Sequence, residues 1–234
     1  MSPKRRYKKA YRIESRSDAI VHYAGLCLAA LAVPALLVLA VDRRGDWMVV
    51  TAIGVYCATL LAMLGASAVY NITGQHRWTP VLKRLDHSAI YLKIAGSFTP
   101  LVALTGGAGV PFLVGLWGAA LGGTSLKMLA PDRLRWLGLA LYLGMGWVGV
   151  WAGGGVFSSL SPGAMWLIVI GGLLYTIGVA FFLWEALPYH TTIWHVFVLV
   201  ATGLIYSAIL VEVLRDLEPE LIEMLSPALI DGAP

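Results

Sequence analysis

Apolar residues run in seven long blocks along the chain, separated by charged residues, glycine and proline. The blocks cover residues 19–41, 48–70, 88–105, 110–127, 134–153, 164–184 and 192–213. Each is close to the roughly 20 residues that a helix needs to cross about 30 Å of hydrocarbon. Because backbone amides find no water there, each block is predicted to be helical. The pattern therefore predicts an all-α integral membrane protein, a bundle of seven transmembrane helices.

The composition agrees with a membrane location. Of the 234 residues, 59% are hydrophobic and 13% are charged, whereas soluble domains carry about 25% charged residues. The two cysteines, Cys27 and Cys57, lie inside apolar blocks, so they are predicted to be packing residues rather than a disulfide. The first block is too long for a signal-peptide core, and no small-residue cleavage site follows it. We interpret it as a retained span.

Lysine and arginine are distributed unevenly between the two sides that seven spans would define. Thirteen lie on the N-terminal side: Lys4, Arg5, Arg6, Lys8, Lys9, Arg12, Arg16, Arg77, Lys83, Arg84, Lys127, Arg133 and Arg135. Three lie on the other side: Arg43, Arg44 and Arg215. Because positively charged segments stay in the cytoplasm, the N-terminus is predicted to be cytoplasmic and the C-terminus extracytoplasmic. Membrane lipids are the expected partners, since orientation and contact with anionic lipid explain the basic tail without nucleic acid.

Three regions follow from this topology. Residues 1–18 form a basic cytoplasmic tail, and residues 19–213 form the seven-helix transmembrane domain. Residues 214–234 carry acids and apolar residues at helical spacing, which predicts a short amphipathic helix on the outer surface.

Polar side chains collect at the helix ends on the predicted cytoplasmic side. Glu14, Asp18 and His22 are spaced i, i+4 and i+8, so they share one helix face. The others, also predicted to line this region, close or open further spans: Ser67, Tyr70, Asn71, Asp86, His87, Glu185, His190, Thr191 and His195. Ionisable groups within spans usually face the bundle interior, which predicts a shared pocket open to the cytoplasm. Lys93, two turns into the third span, is expected to extend back to the membrane boundary, with a functional role as the alternative.

The third span carries the motif that identifies a family. Its run RLDHSAIYLKIAGSFTPL, residues 84–101, resembles a segment of the bacterial hemolysin III proteins, which belong with the progestin and adipoQ receptor family and, more widely, with alkaline ceramidases. The runs ESRSDAIVH, SAVYN and IWHVFVL resemble three further motifs of that family in the same order. The resemblance covers residues 14–210 and implies a seven-helix fold in a bacterial inner membrane, with a cytoplasmic N-terminus.

The resemblance also implies a zinc site near the cytoplasmic side. In such proteins one histidine ends the second span, two histidines four positions apart lie on the seventh span, and an aspartate and a serine support a zinc-bound water. Zinc with three protein ligands activates water for attack on an amide carbonyl. Carried over to this chain, the pattern assigns supporting catalytic roles to Ser67 and Asp86 and a ligand role to His195.

The remaining family positions differ in this chain. Asn71, after Tyr70, stands where the second-span histidine is expected, Thr191 stands in place of the first histidine of the pair, and Asp18 stands in place of an asparagine. A further family histidine falls on Ile205.

His190 offers no simple replacement for the histidine missing at Thr191. Five positions separate it from His195, so the two side chains point about 140° apart on a helix, against about 40° for an i, i+4 pair. Asn71 is also a poor zinc ligand. The sequence therefore predicts no metal; if zinc is bound, the candidate ligands are His195, His190, His22 and His87.

Three functions are consistent with these residues. The first is a membrane protein without enzymatic activity, whose polar pocket is a degenerate hydrolase site with a lipid-sensing or membrane-homeostasis role. The alternative is a zinc-dependent hydrolase of a lipid amide with rearranged ligands. Pore formation is third, because the spans lack the polar stripe that a water-filled channel needs. The substitutions at Asn71 and Thr191 keep hydrogen-bonding groups and remove metal ligands, which favours the first function.

Overall fold

A computed structural model describes the backbone of residues 3–73, 77–106, 109–129, 135–152 and 154–215. It describes the side chains of the same ranges apart from 3–15, 135 and 150–152. The predicted amphipathic helix in 214–234 lies almost entirely outside the described residues, and so does the side chain of Glu14.

The described residues form eight helices. They are α1 (Pro3–Arg44), α2 (Trp47–Ile72), α3 (Thr79–Leu104), α4 (Val110–Leu129), α5 (Arg135–Ala152), α6 (Gly154–Ser159), α7 (Pro162–Leu183) and α8 (His190–Leu214). The predicted all-α class is confirmed over the described residues. Each apolar block corresponds to one long helix, whereas the six-residue α6 lies in a stretch that was predicted to be a loop.

Five of these helices are long and apolar enough to cross a membrane. They are Arg16–Arg44 of α1, α2, α4, α7 and α8, and α5 adds a shorter apolar stretch over Trp136–Gly149. The apolar sequence of helix α3 is interrupted by four charged residues: Lys83, Arg84, Asp86 and Lys93. The chain is thus a helical membrane bundle, while the count of seven spans and the orientation of the termini stay predictions.

The first and last long helices lie side by side and run parallel. Near their starts the side chain of Asp18 contacts that of His195. Midway, the hydroxyl of Tyr206 donates to the carbonyl of Ala32 at 2.8 Å. Near their ends, a guanidinium nitrogen of Arg44 donates to the backbone carbonyl of Glu212. Residues 18 and 195 therefore meet at one end of the bundle, which we call the polar end.

Helices α2 and α3 approach each other closely at a glycine. A Cβ added to Gly96 would lie 2.0 Å from the hydroxyl oxygen of Thr59 and 2.9 Å from its Cβ. That hydroxyl donates back to the carbonyls of Val55 and Tyr56, both at 3.0 Å, which satisfies it within its own helix. The absence of a side chain at Gly96 lets the two helices pack backbone against side chain, and this contact holds Asp86 of α3 beside Ser67 of α2.

The opposite end of the bundle holds a buried acid that the sequence did not reveal. The side chain of Glu212 is 3% exposed. One carboxylate oxygen accepts the backbone N–H of Ser161 at 2.8 Å, and the other lies 3.3 Å from Arg215. Since Arg44 also bonds to Glu212, these contacts join the end of α8 to the end of α1 and the start of α7.

Candidate functional site

Asp18 lies at the centre of a buried polar group at the polar end. Its Oδ1 is 2.6 Å from Nδ1 of His195, and its Oδ2 is 3.5 Å from Nε2 of His22. The two imidazole rings meet edge to face with centroids 4.4 Å apart. One turn of α1 separates Asp18 from His22, so both point toward α8. We call these three residues the Asp18 cluster.

A second polar group lies on the facing helices. Asp86 of α3 is buried, and its carboxylate lies close to the hydroxyl of Ser67. The side-chain amide of Asn71 donates to the carbonyl of Ser67 at 2.9 Å and is 3.4 Å from its hydroxyl oxygen. Ser67 and Asn71 meet because they are one turn apart on α2. Asp86 is close enough to both imidazoles to interact with them electrostatically.

One cavity of about 600 Å³ connects these groups. Its walls are mainly aliphatic and aromatic, and at the polar end they include the predicted site residues His22, Ser67, Tyr70, Asn71, Asp86, His87, Thr191 and His195. The volume lies within the range of about 300–1,000 Å³ found for pockets that bind small molecules. A predominantly apolar cavity with a few converging polar groups is suited to an amphiphilic ligand.

Similarity to known proteins decides the family of this chain. The family model described as "Haemolysin-III related" matches residues 12–206. The chain belongs to the haemolysin-III related family. The resemblance of the third-span motif to hemolysin III proteins is thereby confirmed.

Individual relatives extend this result. The haemolysin-III related chain is 34% identical to the "Hemolysin-3 homolog" of Bacillus subtilis (strain 168) over 200 residues, which cover 84% of this chain and 93% of the relative. It is also 34% identical to "Hemolysin-3" of Bacillus cereus over 205 residues, covering 86% and 92%. The human "Monocyte to macrophage differentiation factor" is 31% identical over 192 residues, covering 77% and 79%. The human match supports the grouping with the progestin and adipoQ receptor family, and the bacterial matches together with the apolar helices make this a multi-pass membrane protein.

Two predicted site residues of this haemolysin-III related protein are arranged differently from the rest. Asp18 is held against His195 rather than in the cavity wall. His190 begins α8 and is 3.5 Å from the hydroxyl of Thr191 through its Nε2, and it is absent from the cavity lining. Tyr189, just before it, adopts a left-handed backbone conformation with φ of 62°, so the chain turns sharply where α8 begins.

Two lysines depart from the predicted arrangement. Lys93 does not extend to the membrane boundary, because it is 3% exposed and lines the cavity. Lys127, which was counted with a loop, lies inside α4 and is 5% exposed. A Cβ on Gly138 would lie 2.6 Å from its ammonium nitrogen, so the missing side chain at Gly138 makes room for it. Charge counting along the sequence could not reveal that either lysine faces inward.

The Asp18 cluster has the composition of a metal site. Its three ligand atoms lie within 4.8 Å of one another. Nε2 of His22 is buried and, within the described part of the chain, has no hydrogen-bond partner, so this nitrogen is available to a ligand. Two imidazoles and a carboxylate with an open fourth position form a set used by zinc hydrolases. The residues therefore fit a zinc ion, with Asp18 as a ligand that was not among the metal candidates from the sequence.

Proposed function

We propose that this protein is a metal-dependent hydrolase of a lipid amide, with Asp18, His22 and His195 holding the metal. The observation that supports the proposal is the Asp18 cluster itself, at one end of a cavity that is mainly apolar. The sequence alone favoured a metal-free pocket because Asn71 and Thr191 replace two expected histidines. Asp18 and His22, both on α1, supply a carboxylate and an imidazole in their place.

The chain's own residues have distinct roles in this proposal. A zinc ion in such a site supplies a Lewis acid and a more acidic water, which is the chemistry of amide hydrolysis. Asp86, close to the hydroxyl of Ser67, is the proton acceptor for the attacking water. The amide group of Asn71 fixes Ser67, and the apolar walls bind the acyl chain and exclude bulk water. We place the site at the cytoplasmic face of the inner membrane, because thirteen of the cations lie on that predicted side.

Metal content is the first test. The protein is purified without added metal, and zinc is measured by mass spectrometry. We expect about one zinc per chain in the unmodified protein and a loss of at least tenfold in His195→Ala and in Asp18→Asn. His190→Ala is the matched control, because it removes a histidine of the same helix outside the cluster. Zinc absent from the unmodified protein, or retained in His195→Ala, contradicts the metal assignment.

Activity is the second test. Release of fatty acid from a fluorescent N-acyl amide lipid in vesicles measures turnover by the zinc-loaded protein. Removal of a positioned acid–base group lowers rates by about 10²–10⁴-fold, so Asp86→Asn should lower kcat in that range while zinc content stays unchanged. If Asp86→Asn hydrolyses the lipid at the unmodified rate, Asp86 is not the proton acceptor.

A metal-free lipid sensor is the second candidate, and one distance favours it. Oδ1 of Asp18 and Nδ1 of His195 are 2.6 Å apart, which is a direct hydrogen bond, whereas two ligands of one tetrahedral zinc with bonds of about 2.0–2.2 Å lie more than 3 Å apart. In that case the cluster is a hydrogen-bonded network that changes with the lipid bound. The double variant Asn71→His, Thr191→His should then acquire zinc that the unmodified protein lacks.

A further inference from the structure

Lys93 is a cation inside the bundle that the proposed hydrolase chemistry does not use. It is 3% exposed, and it lines the cavity. Its ammonium nitrogen donates to the hydroxyl oxygen of Tyr175 at 2.7 Å and lies 4.8 Å from the centroid of the same ring. Helices α3 and α7 thus meet at this contact.

The partners of Lys93 are neutral. The hydroxyl of Tyr175 is 2.6 Å from the hydroxyl of Thr202, so Tyr175 accepts from Lys93 and can donate to Thr202. Across the described residues no carboxylate lies within ion-pair distance of the ammonium. One hydroxyl and one ring face replace only part of the hydration that a buried ammonium loses, so burying it without an anion is unfavourable. The site can therefore accept one negative charge from a ligand.

The position of Lys93 separates it from the Asp18 cluster. It follows Asp86 by seven residues on α3, which places it on the same helix face and about 10 Å further from the polar end. The cavity extends over this distance, and Ile90 lines it between the two levels. It thus has acids and imidazoles at one level and a cation two turns deeper, with apolar wall between them.

We propose that Lys93, oriented by Tyr175 and Thr202, binds the carboxylate of a single-chain amphiphile that occupies the cavity. The ligand is a monoanion, because one ammonium neutralises one charge and a dianion would leave a buried negative charge. It is amphiphilic, because the apolar residues of the cavity wall include Ile94, Leu143 and Val179. This site does not depend on a metal in the Asp18 cluster.

The test compares ligands with the same chain and different head groups. The full-length protein is placed in phosphatidylcholine nanodiscs, where Trp147 in the cavity wall supplies a fluorescence signal, and titrated with dodecanoate, dodecanol, dodecyl phosphate or dodecyltrimethylammonium. Dodecanoate should bind at least tenfold more tightly than the other three. Equal binding of dodecanol and dodecanoate overturns the proposal, and preference for dodecyl phosphate identifies a phosphate site instead.

Two variants distinguish binding by Lys93 from a general electrostatic attraction of anions to the cavity. A hydrogen bond to a charged group contributes enough affinity that Lys93→Met should weaken dodecanoate binding about tenfold or more, with dodecanol unchanged. Lys83→Met is the matched control, because Lys83 lines the same cavity near the polar end and should alter binding less than twofold. Equal losses in both variants overturn the assignment to Lys93.

Two further measurements keep the result independent of folding and of the metal. Tyr175→Phe retains the cation and removes its acceptor, so we expect a threefold to tenfold weaker affinity for dodecanoate with the preference over dodecanol retained; an unchanged affinity would exclude Tyr175 from the site. Titration after treatment with a chelator should give the unmodified affinity. Loss of dodecanoate binding on chelation would move the carboxylate to the Asp18 cluster and overturn the Lys93 site.

Discussion

At the scale of single residues, one carboxylate joins two helices at the polar end. Asp18 contacts His195 of α8 through one oxygen and approaches His22 of its own helix with the other. Charge-assisted hydrogen bonds of this kind are short and roughly twice as strong as neutral ones. The same carboxylate can therefore stabilise the α1–α8 pair without a metal and serve as a ligand with one.

Asp18→Asn tests the structural part of that role. In chelator-treated protein, replacing the carboxylate by an amide of the same shape removes a charge-assisted hydrogen bond, so the free energy of unfolding should fall by about 1.5–3 kcal/mol. Chemical denaturation in detergent gives the value. Asp42→Asn is the control, since Asp42 is an exposed acid of α1 paired with Arg43, and it should cost less than about 0.5 kcal/mol. Equal effects of the two substitutions would show that Asp18 contributes no more than a surface acid.

At the scale of helices, close packing of α2 and α3 fixes the distance between Ser67 and Asp86. Gly96 allows this packing, because any side chain there would overlap Thr59. The polar pair thus depends on a contact ten residues further along α3 from Asp86. A side chain at Gly96 is expected to push α2 and α3 apart and so to increase the distance between Ser67 and Asp86.

Gly96→Ala is expected to destabilise the protein. Its Cβ would lie 2.0 Å from the Thr59 hydroxyl oxygen, and overpacking of this kind costs about 1–3 kcal/mol. The free energy of unfolding measures the loss. Gly54→Ala in α2 is the control, because a Cβ there meets nothing within 4 Å. Thr59→Ala should restore part of the stability of Gly96→Ala, since it removes the hydroxyl and leaves the Thr59 Cβ, 2.9 Å away; additive losses would contradict this contact.

The helices were largely predictable from the sequence, and the pairing of their side chains was not. Seven apolar blocks correspond to seven long helices because hydropathy reports how much apolar surface a segment buries. The same property cannot show that Lys93 meets Tyr175 or that Glu212 meets Ser161, since those partners are far apart along the chain. Asp18 was recognised as a pocket residue, yet its contact with His195 spans 177 positions and required the assembled bundle.

At the scale of the whole molecule, the two ends of the bundle differ in chemistry. Imidazoles, acids and amides meet at the polar end, whereas Arg44, Glu212 and Arg215 form a compact group at the opposite end. The predicted orientation places the polar end in the cytoplasm. Both the proposed hydrolase and the proposed carboxylate site would then draw their soluble reactants or products from that side.

Reporter fusions test the orientation and the number of spans together. With thirteen cations on one side and three on the other, a reporter after residue 215 should be extracytoplasmic. Alkaline phosphatase fused there should be active, and green fluorescent protein at the same point should be dark, whereas both should report the reverse at the N-terminus. A fluorescent C-terminal fusion would mean an even number of spans and would contradict the parallel pairing of α1 with α8.

The parallel pairing of α1 with α8 has a consequence for biosynthesis. Asp18 emerges from the ribosome 177 residues before His195, which at about 5–20 residues per second is a delay of roughly 9–35 s. Throughout that interval α1 lacks the helix that covers Asp18 and His22 in the complete bundle, so this acid and this imidazole are without their final partner. The polar end is therefore completed only when the last helix inserts.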